Sequence, residues 1–204
     1  MYLLASGDLR HVVHTINSLP SDFSGNLHIL VNDMNPIVMC RNIVLLVILG
    51  TISDKVIAAD VALHFWYSAF IPVEYLAQIS SALMPFLRHE SDKVFPLGLH
   101  STLSCWLSPQ VKNCLSYFFS SSTSVIDAQI EYARVRNAPS RCDYRDRMYM
   151  GLRPSHRVAF QEYRRSGIIL PFGAAKTHFN CPNRSLFSPH GQWLQTDYAD
   201  PLEG

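Results

Sequence analysis

The 204-residue chain has little charge, few glycines and no cysteine pattern. Asp, Glu, Lys and Arg make up 16% of it and sum to a formal net charge of +1, which excludes a polyelectrolyte tail and gives the molecule no global attraction to nucleic acid. The five cysteines, Cys40, Cys105, Cys114, Cys142 and Cys181, are odd in number and contain no CxxC, which argues against a secreted disulfide framework. The N-terminus, MYLLASGDLR, shows no basic leader, apolar stretch and cleavage site, so a reducing, cytoplasmic setting is expected. The longest apolar stretch, Ile37 to Ile52, is 16 residues with Arg41 and Asn42 inside it, short of the roughly 20 apolar residues a bilayer requires; it predicts a buried helix and no membrane association. No GxSxG occurs and no Ser/His/Asp or Cys/His order stands out, so hydrolase chemistry has no motif to rest on. The histidines are scattered without HxxxH, and Cys105 and Cys114, nine apart, have no evident partners, so no zinc site is expected.

What is present is apolar residue, 48% of the chain, with a mean hydropathy of +0.07. That suits one well-packed domain, burying about two-thirds of its unfolded surface. Met1 to Ala5 is a short apolar run, Ser6-Gly7-Asp8 a tight turn, and Leu9, Val12, Val13 and Ile16 recur at helical spacing as far as Leu19-Pro20. Leu27 to Val31 predicts a second strand, parallel to Leu3–Ala5, ending at Asn32-Asp33. Asn35 then caps a helix with Pro36 at its first position and Gly50 as its close. This β-α-β-α opening predicts an α/β, Rossmann-like parallel sheet. Asp54 to Phe70 and Val73 to Arg88 keep a helical period, divided by Pro72, and read as a helical cover. Gly98 to Trp106 is ambiguous, Pro109 to Phe119 predicts a helix capped by Ser108, Ser120 to Ser124 a turn, and Thr123 to Arg136 a helix. From Arg134 to Arg165 there are nine arginines against Asp143, Asp146 and Glu162. A helix over Ser155–Ser166, a short strand over Ile168–Leu170 and a Pro/Asn/Gly-rich meander complete the chain. The expected organisation is a single domain over 1–204, with a β-α-β-α opening at 1–50, a mainly helical part at 51–136 and an Arg-rich helix and meander at 137–204. Its abrupt ends suggest a fragment of a longer protein.

Two positions are candidates for a ligand. Gly7, with Asp8, stands where a strand meets a helix, so its backbone can approach an anionic or adenosyl ligand aided by the helix dipole. Asp33 stands at the carboxyl end of the second strand, where nucleotide-binding folds hold ribose hydroxyls. A tight β-α turn needs the same glycine, and Asp33, Asn32 and Asn35 can equally cap the following helix. Arg41, in a helix without a polar face, needs a partner, and Asp8 or Asp33 is expected to form a structural ion pair with it. The arginines interleave with Tyr132, Tyr144, Tyr149 and Tyr163, a composition that can hold RNA, but Asp143-Tyr144-Arg145-Asp146-Arg147 offers each arginine a near carboxylate.

Six ordered motifs carry a family resemblance: Leu3-Leu4-Ala5-Ser6-Gly7-Asp8-Leu9-Arg10-His11-Val12, Asn32-Asp33-Met34-Asn35-Pro36 leading to Arg41-Asn42, Asp143 to Arg147, Arg153-Pro154-Ser155-His156-Arg157, Leu170-Pro171-Phe172-Gly173-Ala174 and Asp200-Pro201-Leu202. Together they resemble a fungal domain of unknown function that often accompanies MYND-type zinc fingers and is similar to the amino-terminal domain of dynein axonemal assembly factor three. The resemblance implies a class I methyltransferase-like fold in a family whose members are not established enzymes, and a cytoplasmic assembly role. The chain departs from working methyltransferases in lacking both the full glycine-rich turn and an Asn/Asp-Pro-Pro-Tyr motif. The expected function is therefore a non-catalytic interaction or assembly module with a protein partner and no cofactor. An S-adenosylmethionine-dependent methyltransferase, with Gly7, Asp8 and Asp33 binding the cofactor, is the alternative, and RNA binding a weaker one.

Overall fold

The computed structural model describes residues 2–4, 7–88, 94–120, 123–137, 139, 142–171 and 173–187. Ala5 and Ser6 of the first turn, part of the Ser120–Ser124 turn, Phe172, and the last part of the meander with Asp200-Pro201-Leu202 lie outside these residues. In chain order the elements are β1 (Tyr2–Leu4), α1 (Arg10–Asn17), β2 (Leu30–Asn32), α2 (Pro36–Thr51), α3 (Lys55–Tyr67), β3 (Phe70–Ile71) and α4 (Val73–Arg88), followed by β4 (Phe95–Leu97), β5 (Ser101–Leu103), α5 (Pro109–Ser120), α6 (Val125–Arg136), α7 (Cys142–Gly151), α8 (Pro154–Ser166) and β6 (Cys181–Pro182).

The helix boundaries follow their caps. Asn35 accepts from Ile37 N at 2.9 Å, with Pro36 at the first helical position of α2. Asp54 accepts from Val56 N and Ile57 N at the head of α3, and Ser124 from Asp127 N at the head of α6. α8 ends on Gly167, whose φ of 71° is the left-handed conformation that closes a helix, with its N–H on the Tyr163 carbonyl. Gly50 does not close α2, which runs one residue further; the β4 residue Leu97 packs against the bare Cα of Gly50, where an added Cβ would stand 2.7 Å from the Leu97 Cβ.

The Rossmann-like expectation is overturned. β1 and β2 do pair in parallel, Leu3 opposite Val31, but among the described residues the sheet stops at those two strands. Among the described residues the other two ladders, β3–β6 and β4–β5, are antiparallel pairs of two or three residues, and eight helices make up most of the rest. The reason lies in α2. It has no polar face, and a helix apolar all round is stable only when other elements surround it. α3, α4 and α5 all pack on it, burying Val44, Leu45, Val47 and Ile48 among Val61, Phe65, Ile79, Leu83, Phe86, Val111, Leu115 and Phe118. Each such side chain contributes about 1.5–3 kcal/mol when fully buried. The centre that a parallel sheet would occupy in an α/β fold is thus filled by a helix. β2 accordingly lacks the two covered faces of an interior strand, and Leu30 is half exposed. The ambiguous stretch near Gly98 is the β4–β5 hairpin, and Ile168–Leu170 is not a strand; β6 pairs with β3 instead. A second apolar cluster, formed by Ala69, Phe70, Ala128, Tyr132, Val135, Ile168, Leu186 and Phe187, joins α6 to β3 and the C-terminal segment.

Candidate functional site

The parallel register sets Leu4 opposite Asn32 and so brings the turn after β1 beside the residues after β2. Gly7 has φ +58°, a left-handed conformation that costs a residue with a Cβ about 1 kcal/mol or more. Its N–H donates to Asp33 Oδ2 at 2.9 Å, and its carbonyl accepts from Asn42 Nδ2 at 2.8 Å. Asn42 is 2% exposed, on the first half of α2. The second oxygen of Asp33, Oδ1, accepts from Asn35 N at 2.8 Å. The turn is therefore tied on both sides by side chains of the protein itself, and the Gly7 N–H that an anionic ligand would use is held by Asp33.

Asp8, just before α1, holds Arg10, the first residue of that helix: Oδ1 accepts from Arg10 N and Nε, and Oδ2 stands 2.9 Å from Arg10 Nε. Arg41 donates from Nη2 to the Trp66 carbonyl at 2.6 Å, and Asp8 acts on it electrostatically. Burial lowers the Arg41 guanidinium to about 10, opposed by Asp8, Tyr163 and Tyr67, so it stays charged at neutral pH. Burial lifts the Tyr67 phenol to about 12, with Asp8 adding to the shift and Arg10 and Arg41 opposing it. Tyr163 donates to the Tyr67 carbonyl at 2.9 Å, which ties α8 to the same end of α3. The structure thus joins Gly7 and Asp33 by a hydrogen bond and sets Asp8 and Arg41 in one electrostatic neighbourhood. Each charged group is engaged by the chain itself.

A second polar set escapes motif reading. Asp60, His64 and Ser68 recur every four residues along α3 and its C-terminal cap, a spacing that puts them on one face. His64 Nδ1 is 2.9 Å from Ser68 Oγ, Nε2 is 3.7 Å from Asp60 Oδ1, and Tyr75 donates to Asp60 Oδ2. The residue types are those of an acid-base-nucleophile relay, but the ring is turned the other way: Nδ1 faces the serine where such a relay uses Nε2. Ser68 is fully buried, and its Oγ accepts from Ile169 N at 3.1 Å. The His64 ring is flanked by Phe179 and Tyr75, and burial lowers its pKa against the pull of Asp60. A hydroxyl shut inside the protein cannot meet a substrate, so the chemistry available to this set is hydrogen bonding. Asn183, 1% exposed, completes it: Nδ2 donates to the Phe65 and Ser68 carbonyls at 2.8 and 2.9 Å, and Oδ1 accepts from Ser185 N and Oγ. The cavity beside it, lined by Phe65, Ile71, Leu83 and Phe118, is about 10 Å³ and apolar, room for about one water.

Within the arginine-rich region Arg134, Arg136, Arg157, Arg164 and Arg165 are engaged by the fold. Arg136 is fully buried between the Tyr132 and Tyr163 rings, and its carbonyl accepts from Arg164, which also lies over Phe160. Arg157 donates to the Leu152 and Met150 carbonyls and covers Tyr149; Arg134 pairs with Glu131, and Arg165 and Lys176 with Glu162. The side chains of Asp143, Tyr144 and Arg145 lie outside the described residues. Among the described residues no group of three or more His, Cys, Asp or Glu could hold a metal, and no helix is long and apolar enough to cross a membrane.

Fold and site together define a mostly helical protein built round one apolar helix, with a self-closed turn at its first strand pair. A family model described as a domain of unknown function (DUF4470) matches residues 1–71. That stretch carries the Gly7–Asp33–Asn42 turn, Arg41 and the Asp60–His64–Ser68 set. No curated protein and no solved structure matches the chain.

Proposed function

We propose that this chain is a non-catalytic interaction or assembly module. The observation that carries the reading is the outer face of α6. Ile126 and Ile130, one turn apart, are 68% and 63% exposed, while Ala128, Tyr132 and Val135 on the opposite face are buried in the second core. Paired large apolar groups held in water on a rigid helix suit a protein contact. The engagement of the Gly7 N–H by Asp33 and the sealing of Ser68 favour this reading over a cofactor-dependent one. The guanidinium groups of Arg134, Arg136, Arg157, Arg164 and Arg165, spent on carbonyls, rings and carboxylates, favour it over RNA binding. The motif resemblance to the domain found beside MYND-type fingers, and to the dynein assembly factor, points the same way.

The test pairs calorimetry with crosslinking. Titration with S-adenosylmethionine and its demethylated product is expected to give no saturable heat. A photo-crosslinking residue at position 130 is expected to yield, in cells, a discrete protein adduct that disappears when Ile126→Asp is added. Micromolar binding of S-adenosylmethionine, lost in Asp33→Ala, would overturn the reading and promote the methyltransferase.

A further inference from the structure

Cys40 lies on α2 and Cys114 on α5, 74 positions apart in sequence, and the two helices are packed together in the main core. Cys40 is fully buried, and its Sγ is 3.8 Å from the Val111 carbonyl. Val111 is three residues before Cys114, on the same face of α5. The helix geometry therefore sets Cys114 beside Cys40 across the α2–α5 contact. Their surroundings differ. Cys114 is partly buried against the core, whereas Cys40 is fully buried.

We propose that Cys40 and Cys114 are an oxidisable pair, with Cys114 the residue attacked and Cys40 the one that resolves it into a disulfide between α2 and α5, the oxidant being a hydroperoxide. The division of labour suits the chemistry. The contact with Cys40 holds the Cys114 thiol below its ordinary value despite partial burial, and burial holds the Cys40 thiol above it. The thiolate is the nucleophile in such reactions, and Cys114 is the more exposed of the two, so Cys114 reacts first. Its sulfur attacks the peroxide, an S–O bond forms, the O–O bond breaks, and the departing oxygen leaves as water after taking a proton. Cys40 then attacks the Cys114 sulfur; an S–S bond forms, the S–O bond breaks, and a second water leaves with the Cys40 proton. In sum two thiols and one hydrogen peroxide give one disulfide and two waters, the sulfurs oxidised and the peroxide reduced. Cys105 and Cys181, whose thiols burial raises, are the internal controls. A bond closing so long a stretch of chain constrains the unfolded state, so oxidation also raises the stability of the folded chain.

The experiment is a peptide map of the wild-type chain after hydrogen peroxide and alkylation of remaining thiols. The expected result is a Cys40–Cys114 linked peptide, two hydrogens lighter than the reduced pair, released by dithiothreitol, with a higher melting temperature in the oxidised form. Cys40→Ser is expected to leave Cys114 as a sulfenic acid that dimedone traps, and Cys114→Ser to leave Cys40 unmodified. The proposal fails if Cys105 or Cys181 is oxidised ahead of Cys114, if Cys114 proceeds to sulfinic acid with Cys40 still alkylated, or if peroxide leaves both thiols free. The wild-type map decides the matter even where a serine variant does not fold.

Discussion

Two buried asparagines organise two different parts of this molecule. Asn42 holds the Gly7 carbonyl in the first turn, and Asn183 holds the carbonyls of Phe65 and Ser68 at the end of α3. The first joins residues 7, 33 and 42, neighbours within one β-α-β-α stretch. The second joins the end of α3 to a segment more than 100 residues further on. One is a local knot that shapes a turn, and the other a seam between the two apolar clusters. The contrast implies that damage to the seam should unfold the protein, whereas damage to the knot should loosen one corner.

The largest expected effect is therefore at the seam. Asn183→Ala strands two buried carbonyls and the Ser185 N–H at once, and each unsatisfied buried group costs about 1–3 kcal/mol. A loss of about 3–5 kcal/mol is expected in denaturant unfolding; a loss under about 1 would deny the seam its role. Gly167→Ala comes next. It forces a Cβ onto φ 71° and within 2.8 Å of the Ala69 Cβ, and a loss of about 1–3 kcal/mol is expected by the same measurement.

Asp33→Ala tests the knot. It removes the acceptor of the Gly7 and Asn35 amides and is expected to cost about 0.5–2 kcal/mol, with the helical circular dichroism unchanged. A loss equal to that of Asn183→Ala would erase the distinction between the two regions. The smallest effect expected is a dependence on pH. Burial holds the His64 imidazole below its ordinary 6.5, so the unfolded chain binds the proton more readily than the folded one. The stabilisation from the neutral ring is complete above about pH 6.5 and is lost as the pH falls through the folded value, with Asp60 opposing the loss. Melting temperature is expected to fall between pH 7.5 and 5 in the wild type and to fall less in His64→Gln, which cannot be protonated. A steeper fall in the variant would assign the dependence elsewhere.

The same contrast explains what was legible in the sequence. The Asn35-Pro36 cap and the two helices after Asp54 depend on residues a few turns apart, and the parallel β1–β2 pairing on one short β-α-β unit; periodicity and capping chemistry reveal them. The sheet did not continue because fold class depends on what surrounds α2, and a run of 16 residues with no polar face reads equally as a helix against a sheet and as a helix among helices. The β-α-β-α opening favours the first reading; the two successive helical periods after Asp54, divided only by Pro72, are the signal for the second. The positions of Gly7 and Asp33 pointed to a meeting place, and the structure joins them, though the bond between them takes up the amide that made the glycine interesting. Asp60, His64 and Ser68 were readable by their spacing of four, but Asn183 and Ile169, which show what the set does, stand more than 100 residues from Ser68.

The first turn is closed by side chains from β2's end and α2, Asp33 on the Gly7 amide and Asn42 on its carbonyl. The most direct measurement is the hydrogen-exchange rate of the Gly7 amide by NMR, in the wild type and in Asp33→Ala. Slow exchange is expected in the wild type, unchanged by millimolar S-adenosylmethionine, and fast exchange in the variant while the amides of α2 stay protected. Fast exchange already in the wild type, slowed by S-adenosylmethionine, would contradict it.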